Sequence, residues 1–197
     1  MGKVIHVIDG SRYTDAERFR TFSTVSSKDI VIRIAGMCNG NVQVLNDIKR
    51  VLQHDTIDVL VFYGHGAPGI QGVAMGTDKS GVAENAAIRD ALSTIRLWSQ
   101  LRKNFSAKGT VVLRGCNTGR GERGDSLMRA LARALNVSVI ASDWYQPTGR
   151  TELVGNIRTA RPDGTITENR KDGLANLMHL PAMEQVAIVG AQVFGSP

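Results

Sequence analysis

Short apolar runs that fit β-strands alternate along the chain with longer runs in which apolar residues recur at helical spacing. The strand-like runs cover residues 4–8, 30–35, 57–63, 110–113 and 137–141, and each is followed within two residues by Gly or Asp. Between the first two, a polar stretch through Phe22 reads as helical. Residues 42–52 carry Val44, Leu45, Ile48, Val51 and Leu52 on one amphipathic face. Residues 82–103 read as one long helix, with Ala87, Ala91, Ile95 and Trp98 along a stripe and Ile88 and Leu92 beside it, and residues 126–135 turn Leu127, Met128, Leu131 and Leu135 inward. This alternation predicts an α/β fold, a three-layer sandwich with a mostly parallel central sheet covered on both faces.

Two stretches depart from the alternation. The Gly- and Pro-containing residues 67–76 fit a short hairpin. Beyond Asp143, residues 152–159 and 165–169 flank Arg161, Pro162, Asp163 and Gly164, a turn sequence that predicts a C-terminal β-hairpin. Residues 173–180 read as a short helix and 186–193 as a last strand interrupted by Gly190. The expectation is one domain over 1–197, with an α/β core over 1–145 and a hairpin and extension over 146–197.

Composition narrows the function classes. With 42% apolar content over 197 residues the chain can bury a substantial core. No apolar run reaches the length of a membrane span, and the first ten residues lack the pattern of a secretion signal, so a cytoplasmic protein with no membrane partner is expected. Two cysteines are too few for a secreted disulfide framework. The net charge of +6 raises nucleic acid as a partner, but the basic residues are scattered and aromatic residues make up only 5%, which leaves few stacking platforms. A solvated basic surface is the favoured reading. His6, His54 and His179 share no metal-ligand spacing with the cysteines, and no carboxylate cluster suits calcium, so neither metal nor cofactor is expected. Gly119, Gly121 and Gly124 punctuate a loop without the Lys-Ser/Thr ending of a phosphate cradle; it reads as an active-site loop or a processing site.

In an open parallel sheet, ligands bind outside the carboxyl ends of the strands. The residues at those ends are Asp9, Gly36 to Cys38, Gly64 to Gly66, Gly115 to Asn117, and Ser142 to Trp144. They include both cysteines and one histidine, His65. Cysteine catalysis needs a thiolate with an imidazole partner. His65 and Cys116 meet that need if their strands lie side by side, as a right-handed crossover through one helical connection implies. Small neighbours, Gly64, Gly66 and Gly115, let a substrate backbone approach and free amides to face an oxyanion.

The block 59–63 followed by Gly64, His65 and Gly66, and the block 110–113 followed by Arg114, Gly115 and Cys116, resemble the paired motifs of the caspase-like (clan CD) cysteine peptidases. That group includes caspases, metacaspases, legumain, gingipains, separase and self-processing toxin domains. The roughly 50 residues that separate the two motifs in caspases also separate them here. The stretch Arg114, Gly115, Cys116, Asn117, Thr118, Gly119 is similar to bacterial caspase-like domains of large surface proteins. The resemblance covers residues 4–141 and implies the caspase-hemoglobinase-like fold. It implies that Cys116 attacks the scissile carbonyl, that His65 protonates the leaving amine, and that the amides of Gly66 and Cys116 form the oxyanion hole. Caspases proper carry Gln-Ala before the cysteine, where this chain has Arg114 and Gly115.

In related peptidases the position two before the cysteine helps form the pocket for the residue preceding the cut. Arg114 at that position implies an acidic Asp or Glu there, through bidentate pairing. Asp9 and Arg12, after the first strand, and Asp143 and Trp144, after the fifth, are further substrate-binding candidates, and Cys38 is the competing nucleophile. The expected function is a cysteine endopeptidase acting on a protein or peptide, within a bacterial toxin, effector or defence system. The alternatives are a non-peptidase binding module for an anionic ligand or nucleic acid, and a different hydrolase using Cys116 as acyl nucleophile. Oligomeric state stays open, because residues 186–193 fit pairing across a dimer as well as within the sheet.

Overall fold

The near-continuous Val, Ile and Leu runs make strands buried on both faces, and they assemble as such a pattern requires. In the computed structural model the described residues are 2–9, 28–34, 40–73, 86–146 and 153–169. In chain order the elements are β1 (Lys3–Asp9), β2 (Ile30–Ile34), α1 (Gly40–Leu52), β3 (Ile57–Tyr63), β4 (Gly66–Ala67), β5 (Ile70–Gly72) and β6 (Ala87–Arg89). They continue with α2 (Leu92–Trp98), a 3-10 helix (Ser99–Asn104), β7 (Phe105–Leu113), α3 (Gly121–Leu135), β8 (Ser138–Ser142), β9 (Ile157–Ala160) and β10 (Ile166–Asn169). Seven strands form one sheet in the order β10-β9-β8-β7-β3-β1-β2, and β4, β5 and β6 form a separate small antiparallel sheet.

Neighbours from β2 through β8 pair in parallel. The hairpin β9–β10 then extends the sheet in antiparallel fashion. It turns at residues 161–165, where Gly164 donates its N–H to the Arg161 carbonyl at 2.9 Å. The connections β2 to β3, β3 to β7 and β7 to β8 all step in one direction across the sheet, so right-handed crossovers carry them over the same face. Accordingly Val44, Leu45 and Ile48 of α1, Trp98 of α2, Leu101 of the 3-10 helix, and Leu127 and Leu131 of α3 join one core with Leu60, Phe62, Val111 and Leu113. On the opposite face Ile8, Val59, Val61, Tyr63, Val112 and Ile140 cluster, with Leu153 and Ile157 packed against them. No helix among the described residues is long and apolar enough to cross a membrane.

The mixed α/β architecture, the mostly parallel sheet and the hairpin agree with the sequence pattern. The single helix expected over 82–103 does not form. Ala87–Arg89 is strand β6, paired with β5, and α2 begins only at Leu92, preceded by Ala91 in an extended conformation. Short apolar runs do not distinguish strand from helix, and the edge of β5 supplies a partner that local sequence does not reveal. Strand β7 starts earlier than expected because extra residues between Phe105 and Thr110 loop out of its pairing with β3. Helix α3 starts five residues before Ser126, at Gly121. The helix expected through Phe22 and the elements expected at 173–180 and 186–193 lie outside the described residues, and the described helices all cover one face of the sheet.

Candidate active site

Strands β3 and β7 lie side by side, with Leu60 opposite Val111 and Phe62 opposite Leu113. Beyond the last pair the Arg114 N–H still donates to the Phe62 carbonyl at 2.9 Å. The loops that carry His65 and Cys116 therefore leave the sheet as immediate neighbours. They touch through glycines. A methyl on Gly66 would lie 2.5 Å from the Gly115 carbonyl carbon and 2.6 Å from the Cys116 nitrogen, and one on Gly115 would lie 2.8 Å from the Gly66 Cα. No real side chain fits at such distances.

The small sheet locks this arrangement. The Gly72 N–H donates to the His65 carbonyl at 2.6 Å, which makes 65 and 72 a hydrogen-bonded pair. Gly66, opposite Gln71, is then at a non-hydrogen-bonded position, with its N–H turned out of the ladder. Gln71 itself is buried and accepts the Gly115 N–H at 2.7 Å. Thr118 donates through its hydroxyl to the Ile70 carbonyl at 3.1 Å and accepts the Gly69 N–H at 3.1 Å.

The turn that holds the cysteine consumes its own amides in sequence. Arg114 donates to Phe62, Gly115 to Gln71, Asn117 to the Trp144 carbonyl at 2.9 Å, Thr118 to Gly115, Gly119 to Ser142 and Arg120 to Asn117. Among the described residues the Cys116 N–H alone in this stretch has no acceptor. Asn117 carries the reversal of direction at φ 58°, a left-handed conformation that asparagine tolerates better than most residues.

Cys116 is half-buried and reduced. Its sulfur meets the backbone of Gln146 twice: the Gln146 N–H donates to Sγ at 3.3 Å, and Sγ lies 3.7 Å from the Gln146 carbonyl oxygen. The Gln146 side chain fixes that stretch of backbone. Its Nε2 donates to the Val154 carbonyl at 2.9 Å and the Trp144 carbonyl at 3.0 Å, while its Oε1 accepts the Val154 N–H at 3.0 Å. His65 is solvent-exposed on the adjoining loop.

Of the remaining candidates, Asp9 is buried at the end of β1, beside Gly64. Arg114 is only 5% exposed, and its guanidinium lies 5.0 Å from the centroid of the Tyr63 ring. Burial pushes the Tyr63 phenol above its ordinary value, against the lowering effect of the Arg114 charge and hydrogen bond. Asp143 is committed to structure: it accepts both the backbone N–H and the Nδ2 of Asn156, at 3.0 and 2.9 Å. Trp144 is 55% exposed, and Tyr145, which sequence reasoning missed, is 64% exposed with its ring edge-on to the indole. Arg12 and Cys38 lie outside the described residues. Sequence reasoning also missed Gln71 and Gln146, because a lone glutamine in a short strand or a loop carries no periodic or motif signal.

The described residues contain no group of three or more His, Cys, Asp or Glu able to hold a metal ion. The arrangement is thus a thiol and an imidazole on adjoining loops, with a Cys116 N–H that has no acceptor among the described residues and a Gly66 N–H turned out of its ladder. No curated protein and no solved structure matches the chain. A family model matches residues 25–171, from just before β2 to just past β10 and so across both loops, and the chain belongs to that family, the domain of unknown function DUF4347.

Proposed function

We propose that this domain is a cysteine endopeptidase with a caspase-like fold, in which Cys116 is the nucleophile and His65 the general acid and base. The observation that carries the reading is the unspent Cys116 N–H, in a turn where every amide from Arg114 to Arg120 otherwise finds an acceptor. A donor left open beside a nucleophile suits the oxyanion of a tetrahedral intermediate. Gly66, whose N–H points out of its ladder and whose backbone abuts the Cys116 nitrogen, supplies the second donor.

In this reading the Cys116 thiolate adds to the scissile carbonyl, and the two amides take the developing charge. His65 then protonates the departing amine and activates the water that releases the acyl group. Trp144, exposed and with its carbonyl bonded to the Asn117 N–H, forms a wall of the substrate cleft. Arg114 selects an acidic residue before the cut. Its guanidinium is already desolvated over Tyr63, and a carboxylate reaching it there would gain more than one pairing with an exposed arginine.

An electrophilic peptide probe tests the chemistry. Labelling of the native chain that disappears in Cys116→Ala and falls at least tenfold in His65→Ala supports the dyad. Absence of labelling with probes carrying Asp, Arg, Leu or Asn before the warhead would favour the binding-module alternative, and a preference for Arg would remove the proposed role of Arg114.

A further inference from the structure

Gln71 sits in the middle strand of the small sheet with 0% of its surface exposed. Such a buried position ordinarily holds an apolar residue. Both ends of its amide are used: Oε1 accepts the Gly115 N–H at 2.7 Å, and Nε2 donates to the Gly72 carbonyl at 2.9 Å. Gly72 in turn donates its N–H to the His65 carbonyl at 2.6 Å. One side chain therefore bridges from the residue that precedes the nucleophile to the residue that holds the histidine loop. It also removes the Gly115 amide from competition, so that the next one along, at Cys116, is the donor left open.

We infer that Gln71 is a positioning residue that keeps the His65 and Cys116 loops in register. The inference rests on the dyad reading of those two residues. A fully satisfied buried amide adds little apolar burial, but it fixes geometry through bonds that an aliphatic side chain of the same length lacks.

The test is a double-mutant cycle read at Cys116 itself, by the rate of iodoacetamide alkylation located by peptide mass mapping, in the full chain. Met in place of Gln71 keeps the length and loses both bonds. His65→Ala is expected to slow alkylation about tenfold in the native background and less than about twofold in Gln71→Met, because neighbours that act as a unit are non-additive. The Gln71→Glu variant adds a readout that a purely structural role would not move. As a neutral acid it repeats both bonds, accepting from Gly115 and donating to Gly72, whereas its carboxylate opposes the Gly72 carbonyl. The sensitivity to His65→Ala should therefore return as pH is lowered, measured as a ratio to the native chain at each pH.

A tenfold effect of His65→Ala that survives unchanged in Gln71→Met overturns the role of Gln71 and leaves the dyad standing. No effect of His65→Ala in the native chain overturns the dyad and, with it, this inference. Should Gln71→Met fail to fold, a Gln71→Glu chain whose sensitivity to His65→Ala does not change with pH overturns the proposal on its own.

Discussion

On the helix-covered face, β1, β3 and β7 present Ile5, Val7, Leu60, Phe62, Val111 and Leu113, all apolar and all buried under α1, α2 and α3. On the other face the same strands present Ile8, Val61 and Val112, interleaved with a polar chain. There His6 Nδ1 and the Tyr63 hydroxyl are 3.0 Å apart, His6 Nε2 meets Asp29 at 3.0 Å, and Arg114 lies over the Tyr63 ring. Apolar contacts tolerate repacking and are non-directional, whereas buried hydrogen bonds hold only one geometry. The helix face therefore supplies stability. The polar face ties the start of β2 to the residue two before Cys116 and supplies alignment instead.

Breaking each face separately should separate these contributions. Phe62→Ala, which removes a ring packed edge-on to Trp98 with centroids 5.1 Å apart, should cost about 3–5 kcal/mol in urea denaturation. If it costs no more than a polar-face substitution, the division between the faces fails. His6→Leu, which takes one partner from both Tyr63 and Asp29, should cost about 1–3 kcal/mol by the same measurement.

Tyr63→Phe removes one hydroxyl and should cost about 1 kcal/mol at neutral pH. It should also change the alkaline limb. The native phenol titrates above its ordinary 10.0, mainly because burial disfavours the phenolate. Its contribution is therefore complete below that value and is lost as pH rises through the higher folded one. Stability curves of native and Tyr63→Phe chains should accordingly converge above about pH 10; parallel curves would count against the burial argument.

The smallest effect belongs to the hairpin turn, outside both faces. There the Asp163 carboxylate, held below its ordinary 3.8 mainly by the Thr165 N–H and then by the Thr165 hydroxyl, is fully exposed. A lowered folded pKa means that its contribution is present above about pH 4 and is lost as pH falls through the folded value. Asp163→Asn should leave the alkaline limb unchanged and flatten only the acid limb.

The parallel strands were legible because Val- and Ile-rich runs of five to seven residues, such as Ile57–Tyr63, have few alternatives. Adjacency of β3 and β7 followed from a handedness rule, and the hairpin from its turn residues. What escaped reading depends on partners distant in sequence. Ala87–Arg89 becomes a strand because β5 offers an edge, 15 or more positions earlier in the chain. Gln71 and Gln146 matter through bonds to Gly115 and to the Cys116 sulfur, which no local pattern encodes. Arg114 was legible as a position but not as a buried one, because its stacking on Tyr63 depends on the register between two strands.

If Cys116 is the nucleophile proposed above, the Gln146 backbone that meets its sulfur places reactivity in competition with the protein's own chain. Any molecule approaching from that side must displace a backbone segment that Val154 holds by two bonds. Its apparent affinity is therefore its intrinsic affinity scaled by the fraction of molecules in which that segment has swung away. Because both bonds reach the Val154 backbone, it is substitution of the Gln146 side chain, which touches no reacting atom, that would then tune how often the sulfur is available, making occupancy of one small loop a dial on the whole site.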